Sequence, residues 1–459
     1  MRSGDWRPSS CSAISGREAE LSTAIVKNAL TQTLLLVGLL IPISAGAQQS
    51  IVPLQLSFSD PGARSMGFGG AFVGLADDAT AAISNPAGLT QLLKPEVSIE
   101  ARHWSYSTPY TRNGRIENLP SGNGIDDTVG IRRVSSEYST SGISFLSFAF
   151  PAGNWSLALY RHELANLEFT GETQGLFGGG TDCCQVREAD QRVTSDLEME
   201  SYGFSAAYRI SDRFNLGLGV VYTDALVQTS ATQYSSDDDT LAGIFGPNSY
   251  LPERTIIGER GWINDADWTL NGGVLWHLSD SWSIGGVYRE GPEFTINAEA
   301  VAGYLIDFGV PPGTVFIRNL GHPVEFPDTY GLGFAYRAAS GRLTISFQWD
   351  HVEYSNIAES LELDDQTIDD IDTLHLGAEY VFIDATPIIA LRLGTWLEPD
   401  HQVYATIDDP YLQALLPQGD DEVHVSAGLG LAMQRFQVDL AVDFADRLDT
   451  VALSAVFNF

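Results

Sequence analysis

Phe436–Phe444 reads FQVDLAVDF, with an apolar residue at every second position. Phe436, Val438, Leu440, Val442 and Phe444 share one face, and Gln437, Asp439, Ala441 and Asp443 share the other. Side chains alternate across a strand with a period of two, so this is a strand with one apolar and one largely polar face. Leu343–Asp350, LTISFQWD, repeats the pattern: Leu343, Ile345, Phe347 and Trp349 oppose Thr344, Ser346, Gln348 and Asp350. Either stretch alone fits a protein core or a lipid bilayer. The number and spacing of such stretches along the chain decide between them.

Fourteen segments alternate in this way, beginning near Val97, Gly142, Trp155, Glu198, Asn215, Trp268, Trp282, Thr329, Leu343, Thr373, Ile389, Val423, Phe436 and Thr450. An even number suits a closed barrel of the bacterial outer membrane. Short connections (PAGN, ISDRF, LSDS, RAASGR, IDATP, MQR) join segments 2–3, 4–5, 6–7, 8–9, 10–11 and 12–13. Long acidic stretches, roughly 105–140, 166–197, 226–267, 299–328, 354–372 and 397–422, lie between these pairs, and only the last hairpin departs from the rule. Short turns at one rim and long loops at the other are the barrel arrangement. Sandwiches and propellers also have many strands. Against them stand aromatic residues near segment ends, Trp155, Tyr208, Trp268, Trp276, Trp282, Tyr336, Tyr380 and Trp396, as interfacial girdles require. The chain also closes on VALSAVFNF, with Val451, Leu453, Ala455, Phe457 and Phe459 on one face. A last strand ending in Phe resembles the assembly signal of outer-membrane barrels. The expected fold is all-β: a 14-stranded antiparallel transmembrane barrel.

Composition narrows the function. Among 459 residues, 59 are acidic and 25 basic, for a formal net charge of −34, and Lys27 and Lys94 are the only lysines. Such a chain has no basic face for nucleic acid. Lys27 precedes an apolar run from Leu34 to Ile43 and then Ala45-Gly46-Ala47, the order of a secretory signal peptide. The run is too short for a membrane helix, which takes about 20 residues. Residues 1–47 are therefore expected to be an N-terminal extension and signal peptide, cleaved after Ala47. Cys11 would leave with it, and the adjacent Cys183 and Cys184 make no disulfide framework.

Ahead of the first strand, DDATAAISNPAGLTQL (Asp77–Leu92) has small residues, a Pro that stops a helix and a Gly that permits a turn. The wider stretch SDPGARSMGFGGAFVGLADDATAAISNPAGL, followed by fourteen strands, resembles the N-terminal hatch of FadL-type transporters, outer-membrane channels for long-chain fatty acids and other hydrophobic compounds. The likeness extends through DLEMESYGFSAAYRISDRFNLGLGVVYTDALV, WTLNGGVLWHLSDSWSIGGVYREGPEFTINAEA and FPDTYGLGFAYRAASGRLTISFQWDHVEYSNI. It implies a hatch over residues 48–94 plugging the lumen of a barrel over 95–459, with Asn85, Pro86, Ala87 and Gly88 at its gating motif. It also implies a monomer in outer-membrane lipid that passes hydrophobic molecules passively, without a cofactor and without enzymatic activity. Between strands 11 and 12 the family's Pro-Asp and Asp-Arg pattern is replaced by LLPQGDDEVHVS, so the ligand is not fixed by the likeness.

In the family, the loops after strands 5 and 7 form a capture groove. Here the first carries Leu241, Ile244, Phe245, Tyr250 and Leu251, and the second Val301, Tyr304, Leu305 and Phe308. Any of these also suits a loop's own small core. Alternation turns Arg289 and Arg392 toward the lumen, where either can meet a ligand carboxylate or pair with lumen acids such as Asp350, Glu379 and Asp439. Gly67, Gly69 and Gly70 lack the strand, lysine and acid of a nucleotide loop and read as tight packing. Asp237–Asp239 lacks calcium-ligand spacing, and His277, His375 and His424 sit on separate strands with no catalytic or metal spacing. Within the same fold, aromatic-hydrocarbon import or lipid export are alternatives, as is a scaffold or shuttle partner of a secretion system. An outer-membrane hydrolase would need a Ser-His pair that the sequence does not show.

Overall fold

The computed structural model describes residues 55–58, 60–115, 130–178, 186–187, 189–234, 254–303, 311–363 and 365–459. Fourteen staves form one closed antiparallel sheet: β1 (Glu96–Arg115), β2 (Arg132–Ala152), β3 (Trp155–Thr173), β4 (Asp190–Arg209), β5 (Phe214–Tyr234), β6 (Thr255–His277), β7 in two lengths (Trp282–Arg289 and Glu293–Ala302), β8 in two lengths (Val315–Glu325 and Thr329–Arg337), β9 (Leu343–Val352), β10 (Ile371–Phe382), β11 (Ile388–Glu398), β12 (Glu422–Ala432), β13 (Phe436–Phe444) and β14 (Leu448–Asn458). Each stave pairs with its sequence neighbours, and β1 closes on β14 from Glu96 opposite Asn458 to Tyr106 opposite Leu448. Closure leaves no free edge, which a sheet in hydrocarbon requires because lipid offers backbone groups no partner. The short connections fall where the sequence places them, all at one rim.

The alternation resolves into outside and inside as expected. On β13, Phe436, Leu440 and Phe444 are exposed, while Asp439, Ala441 and Asp443 are buried in the lumen. Leu218, Leu393 and Leu159 face outward on other staves, 72%, 67% and 58% exposed, as part of a broad band of exposed apolar side chains that suits lipid. Girdle pairs form from Trp155 with Tyr208 at 4.7 Å, Trp282 with Tyr336 at 4.9 Å, and Tyr222 with Trp268 at 5.0 Å between ring centres. This outer band makes the molecule a transmembrane barrel of the outer-membrane kind. Trp396 is a correction to the girdle. It shares the inward phase of Arg392 and stacks on His424 at 4.2 Å, inside the lumen.

The staves are also longer than the sequence suggests. Much of what reads as loop in 105–140, 166–197, 226–267 and 299–328 is strand continuing beyond the bilayer. The polarity of the two faces exchanges on the way. On β4, Tyr202 and Phe204 face out and Ser201 and Ser205 face in; above them Glu198 and Asp196 face out, and Met199, Leu197 and Val193 are buried inside. A strand outside the membrane meets water on its outer face, so its apolar residues turn inward. The inverted section forms a tower with an apolar core, in which Leu167, Phe169, Val227, Ile263, Phe294 and Ile296 pack together.

Candidate functional site

Within the barrel, residues 60–94 fold as a plug: helix α1 (Ala63–Gly67), helix α2 (Ala81–Ser84) and a 3-10 helix (Pro86–Gln91). The motif Asn85-Pro86-Ala87-Gly88 is wholly buried. Asn85 is the N-cap, and its Oδ1 accepts from Ala87 N at 3.2 Å. Pro86 follows at the first helical position, where a missing N–H costs nothing. The Asn85 amide donates to Val73 O at 2.9 Å in the plug and to Val274 O at 3.0 Å on β6. One side chain thus caps a helix, closes the plug on itself and fastens it to the wall. Gly88 lies so close to Ala76 that a side chain there would collide with its carbonyl and methyl.

The wall is shaped for this plug. A Cβ added at Gly273 on β6 would collide with Asn85 Oδ1, and one at Gly217 on β5 with Ala87 N. Gly285, Gly333 and Gly394 on β7, β8 and β11 meet Val73, Gly74 and Gly69 just as closely. Side chains then tie plug carbonyls to the staves: Ser205 Oγ donates to Ala82 O at 2.7 Å, Asn271 to Ile83 O at 2.8 Å, and Ser283 Oγ to Gly74 O at 2.7 Å. Beneath α1 runs an ion network. Arg64 pairs with Asp77 at 2.5 Å and with Glu379 of β10 at 3.4 Å. Glu379 also takes Arg392 Nε at 2.6 Å, and Arg392 reaches Asp439 at 2.7 Å.

Above the plug lies a cavity of about 280 Å³. Its upper wall is apolar and aromatic, from Phe58, Trp104, Tyr106, Phe326 and Tyr354, and continues into the apolar core of the tower. Its lower wall carries Asp60, Arg102, Arg289, Asp350, His375, Trp396, Glu398, His424 and Asp443. Two side chains lead from this wall to the plug. Gln348 Oε1 accepts from Phe72 N at 2.8 Å and Val73 N at 2.7 Å, while its amide donates to Asp350 Oδ2 at 2.6 Å. His375 Nε2 lies 3.2 Å from the same Asp350 oxygen, and its Nδ1 donates to Gly69 O at 2.8 Å. Asp350 therefore touches the cavity and grips residues 69–73 through both arms.

The segment 55–58 rises from the cavity to the outer loops, where Tyr354 OH donates to Leu56 O at 2.7 Å and His401 Nε2 to the same oxygen at 3.0 Å. Leu56 and Phe58 pack in the apolar core of the tower.

The two arginines selected by alternation are both inside but differ in setting. Arg289 borders the cavity, with Nη1 3.0 Å from Asp60 Oδ1. Arg392 is enclosed between Glu379 and Asp439 beneath the plug and is not among the residues bordering the cavity. Of the groove residues, Val301 is half-buried near the end of β7, opposite Val315 of β8. Leu241, Ile244, Phe245, Tyr250, Leu251, Tyr304, Leu305 and Phe308 lie outside the described residues, as do residues 1–54 and the Cys183–Cys184 pair. The cavity's aromatic rim, Gln348 and the wall glycines were not singled out from the sequence. Their signal lies in the phase of each stave, since Trp104, Gln348 and Gly273 all occupy inward positions.

No protein-family model matches the chain, and no curated protein matches it. Among solved structures it is similar to a FadL homologue of Pseudomonas aeruginosa, at 14% identity over 88% of this chain and 99% of that one, with a TM-score of 0.57. It is also similar to the deltaS2 mutant of the TodX monoaromatic hydrocarbon channel (15% identity, 87% and 99% covered, TM-score 0.52). A third is the CymD monoaromatic hydrocarbon channel (15% identity, 86% and 96% covered, TM-score 0.50). At these identities the likeness establishes a shared fold, matched over 86–88% of this chain.

Proposed function

We propose that this barrel is a passive channel carrying hydrophobic small molecules across the outer membrane. The observation that carries the reading is the continuous run from an apolar tower core, through a partly aromatic cavity, to a plug held by discrete hydrogen bonds and ion pairs. A general porin needs a wet, polar bore, whereas this one is apolar where it leaves the bilayer. Exposing apolar surface to a polar, charged outer layer costs about 25 cal/mol per Å², so an apolar route lowers that barrier. Ligand enters from the outer loops, rests in the cavity and leaves when the plug shifts. The loop residues from Leu241 to Leu251 and from Val301 to Phe308 supply the first capture in this reading, with Asn85, Pro86, Ala87 and Gly88 holding the closed state.

Long-chain fatty acids and monoaromatic hydrocarbons are the two ligand classes to compare: the first from the sequence resemblance, the second from two of the fold neighbours and the aromatic cavity wall. The test is uptake of labelled oleate and labelled toluene by cells lacking their own importers, with this chain at a measured level in the outer membrane. Uptake of either above the empty-vector control supports the channel. Background uptake of both from a correctly inserted barrel rejects it.

A further inference from the structure

The staves are not equally tall. β1 to β6 run for 19 to 23 residues. β9 to β14 run for only 9 to 12. They stop at the level of the cavity, which the end residues Val352, Ile371, Glu398 and Leu448 border. Above it, β3 to β8 stay paired in order, and β1 stays paired with β2. The upper length of β8 (Val315–Glu325) pairs, among the described residues, with β7 alone, and β1 leaves β14 at Tyr106 opposite Leu448. The tower is therefore a half-pipe. Its apolar core is shielded from water only if something covers the open side.

Two loops cover it. The β9–β10 loop carries helix α3 (Ser355–Ser360), and the β11–β12 loop carries helix α4 (Pro410–Leu415). Tyr354, Ile357, Leu361 and Ile368 of the first and Val403 of the second belong to the buried core of the tower. The loops are tied to each other. Gln366 and Thr367 pair with Ala405 and Tyr404 in a two-stranded sheet separate from the barrel, and Thr406 N donates to Asp365 O at 2.9 Å. Their ties to the tall staves are fewer. At the β8 edge, Ser360 O accepts from His322 Nε2 at 2.8 Å and Ser360 Oγ from Glu325 N at 3.1 Å. At the far edge, Arg133 Nη2 donates to Ala414 O at 3.2 Å, and Leu412 and Leu415 pack with Leu176. Between these edges the loops meet the tower through apolar side chains.

Such a seam holds against water and yields to a hydrophobic molecule. Parting it in water exposes apolar surface at a cost of about 25 cal/mol per Å², but a ligand that enters as the loops lift covers that surface and offsets the cost. The ladder bonds between staves have no such substitute in an apolar ligand.

We infer that the two joined loops are a door in the open side of the tower, and that hydrophobic molecules enter by parting it from β8. Tyr354, which borders the cavity and sits at the foot of α3, marks where this entrance meets the inner site. The door rests on the channel reading above and adds to it a gate in series with the plug.

The test locks the door in importer-deficient cells. One variant carries Ser360→Cys and Glu325→Cys, joined by a short bis-maleimide whose spacer contains a reducible disulfide. A second carries Thr367→Cys and Tyr404→Cys, so that the same reagent joins the loops to each other and leaves the door free to swing. Both have Cys183 and Cys184 replaced by Ser, and both are checked for the intact barrel by heat-modifiable mobility. Uptake of labelled toluene and of labelled oleate is measured before cross-linking, after it, and after adding a reductant. The link to β8 should bring uptake down to the empty-vector level and the reductant should restore it, while the link within the door leaves uptake unchanged. Uptake that persists under a verified link to β8, or that falls equally under the link within the door, overturns the door alone. Background uptake of both probes by the wild type and by both variants before cross-linking overturns the channel reading, and the door with it.

Discussion

Asn85 serves three backbone groups with one amide, and its environment fixes what its loss does. Asn85→Ala removes the donors to Val73 O and Val274 O and the cap on Ala87 N. Buried groups left unpaired cost about 1–3 kcal/mol each, so amide exchange in residues 73–91 should accelerate at least about tenfold while the staves keep their protection. Hydrogen exchange resolved by mass spectrometry reads both. The glycine opposite gives the complementary test. Gly273→Val puts a side chain where Asn85 Oδ1 sits, so the plug must move, and cells carrying it should become sensitive to large hydrophilic antibiotics. Gly258→Ala, with open space around its Cβ, should leave sensitivity unchanged. Single residues were unevenly legible in the sequence. Asn85 and Pro86 announce a capped turn by their chemistry alone. The phase of β11 places Arg392 inside among lumen acids, and the fold selects Glu379 and Asp439 from them. Trp396 reads as interfacial because an aromatic near a strand end has two homes, and only its register against Leu393 and Leu397 separates them.

At the scale of the strand, the two-zone alternation makes opposite predictions a few residues apart. Leu218 on β5 lies in the lipid band, so Leu218→Arg should destabilise the barrel by about 2–4 kcal/mol in urea refolding into vesicles. Glu198 on β4 lies on the wet outer face of the tower, and Glu198→Arg should stay within about 0.5 kcal/mol. Existence and order of the fourteen staves were readable because the bilayer imposes one unbroken rule on about ten residues of each. Their true length was not, because above the bilayer the outer face turns acidic and imitates a loop. Latches between elements were also invisible, since Gln348 is an ordinary inward polar residue until Phe72 and Val73 are placed against it. Gln348→Leu leaves those two N–H groups buried without an acceptor. Exchange at residues 69–76 should rise at least about tenfold, with stave stability unaltered.

The molecule as a whole joins three parts: an apolar tower, a partly aromatic cavity and a plug seated on wall glycines. On the proposed function, ligand passes only when the plug gives way. Ala63 of α1 and Ala441 of β13 pack in one buried cluster, which offers a reversible lock. The measurement is uptake of a labelled hydrophobic compound by importer-deficient cells expressing the Ala63→Cys/Ala441→Cys protein with Cys183 and Cys184 replaced by Ser, under oxidising conditions and after adding a reductant. Uptake should stay at background while the disulfide holds and return to the wild-type level once it is reduced. Equal, wild-type uptake in the oxidised and reduced states, with the cross-link verified, would contradict it and place the route outside the plug.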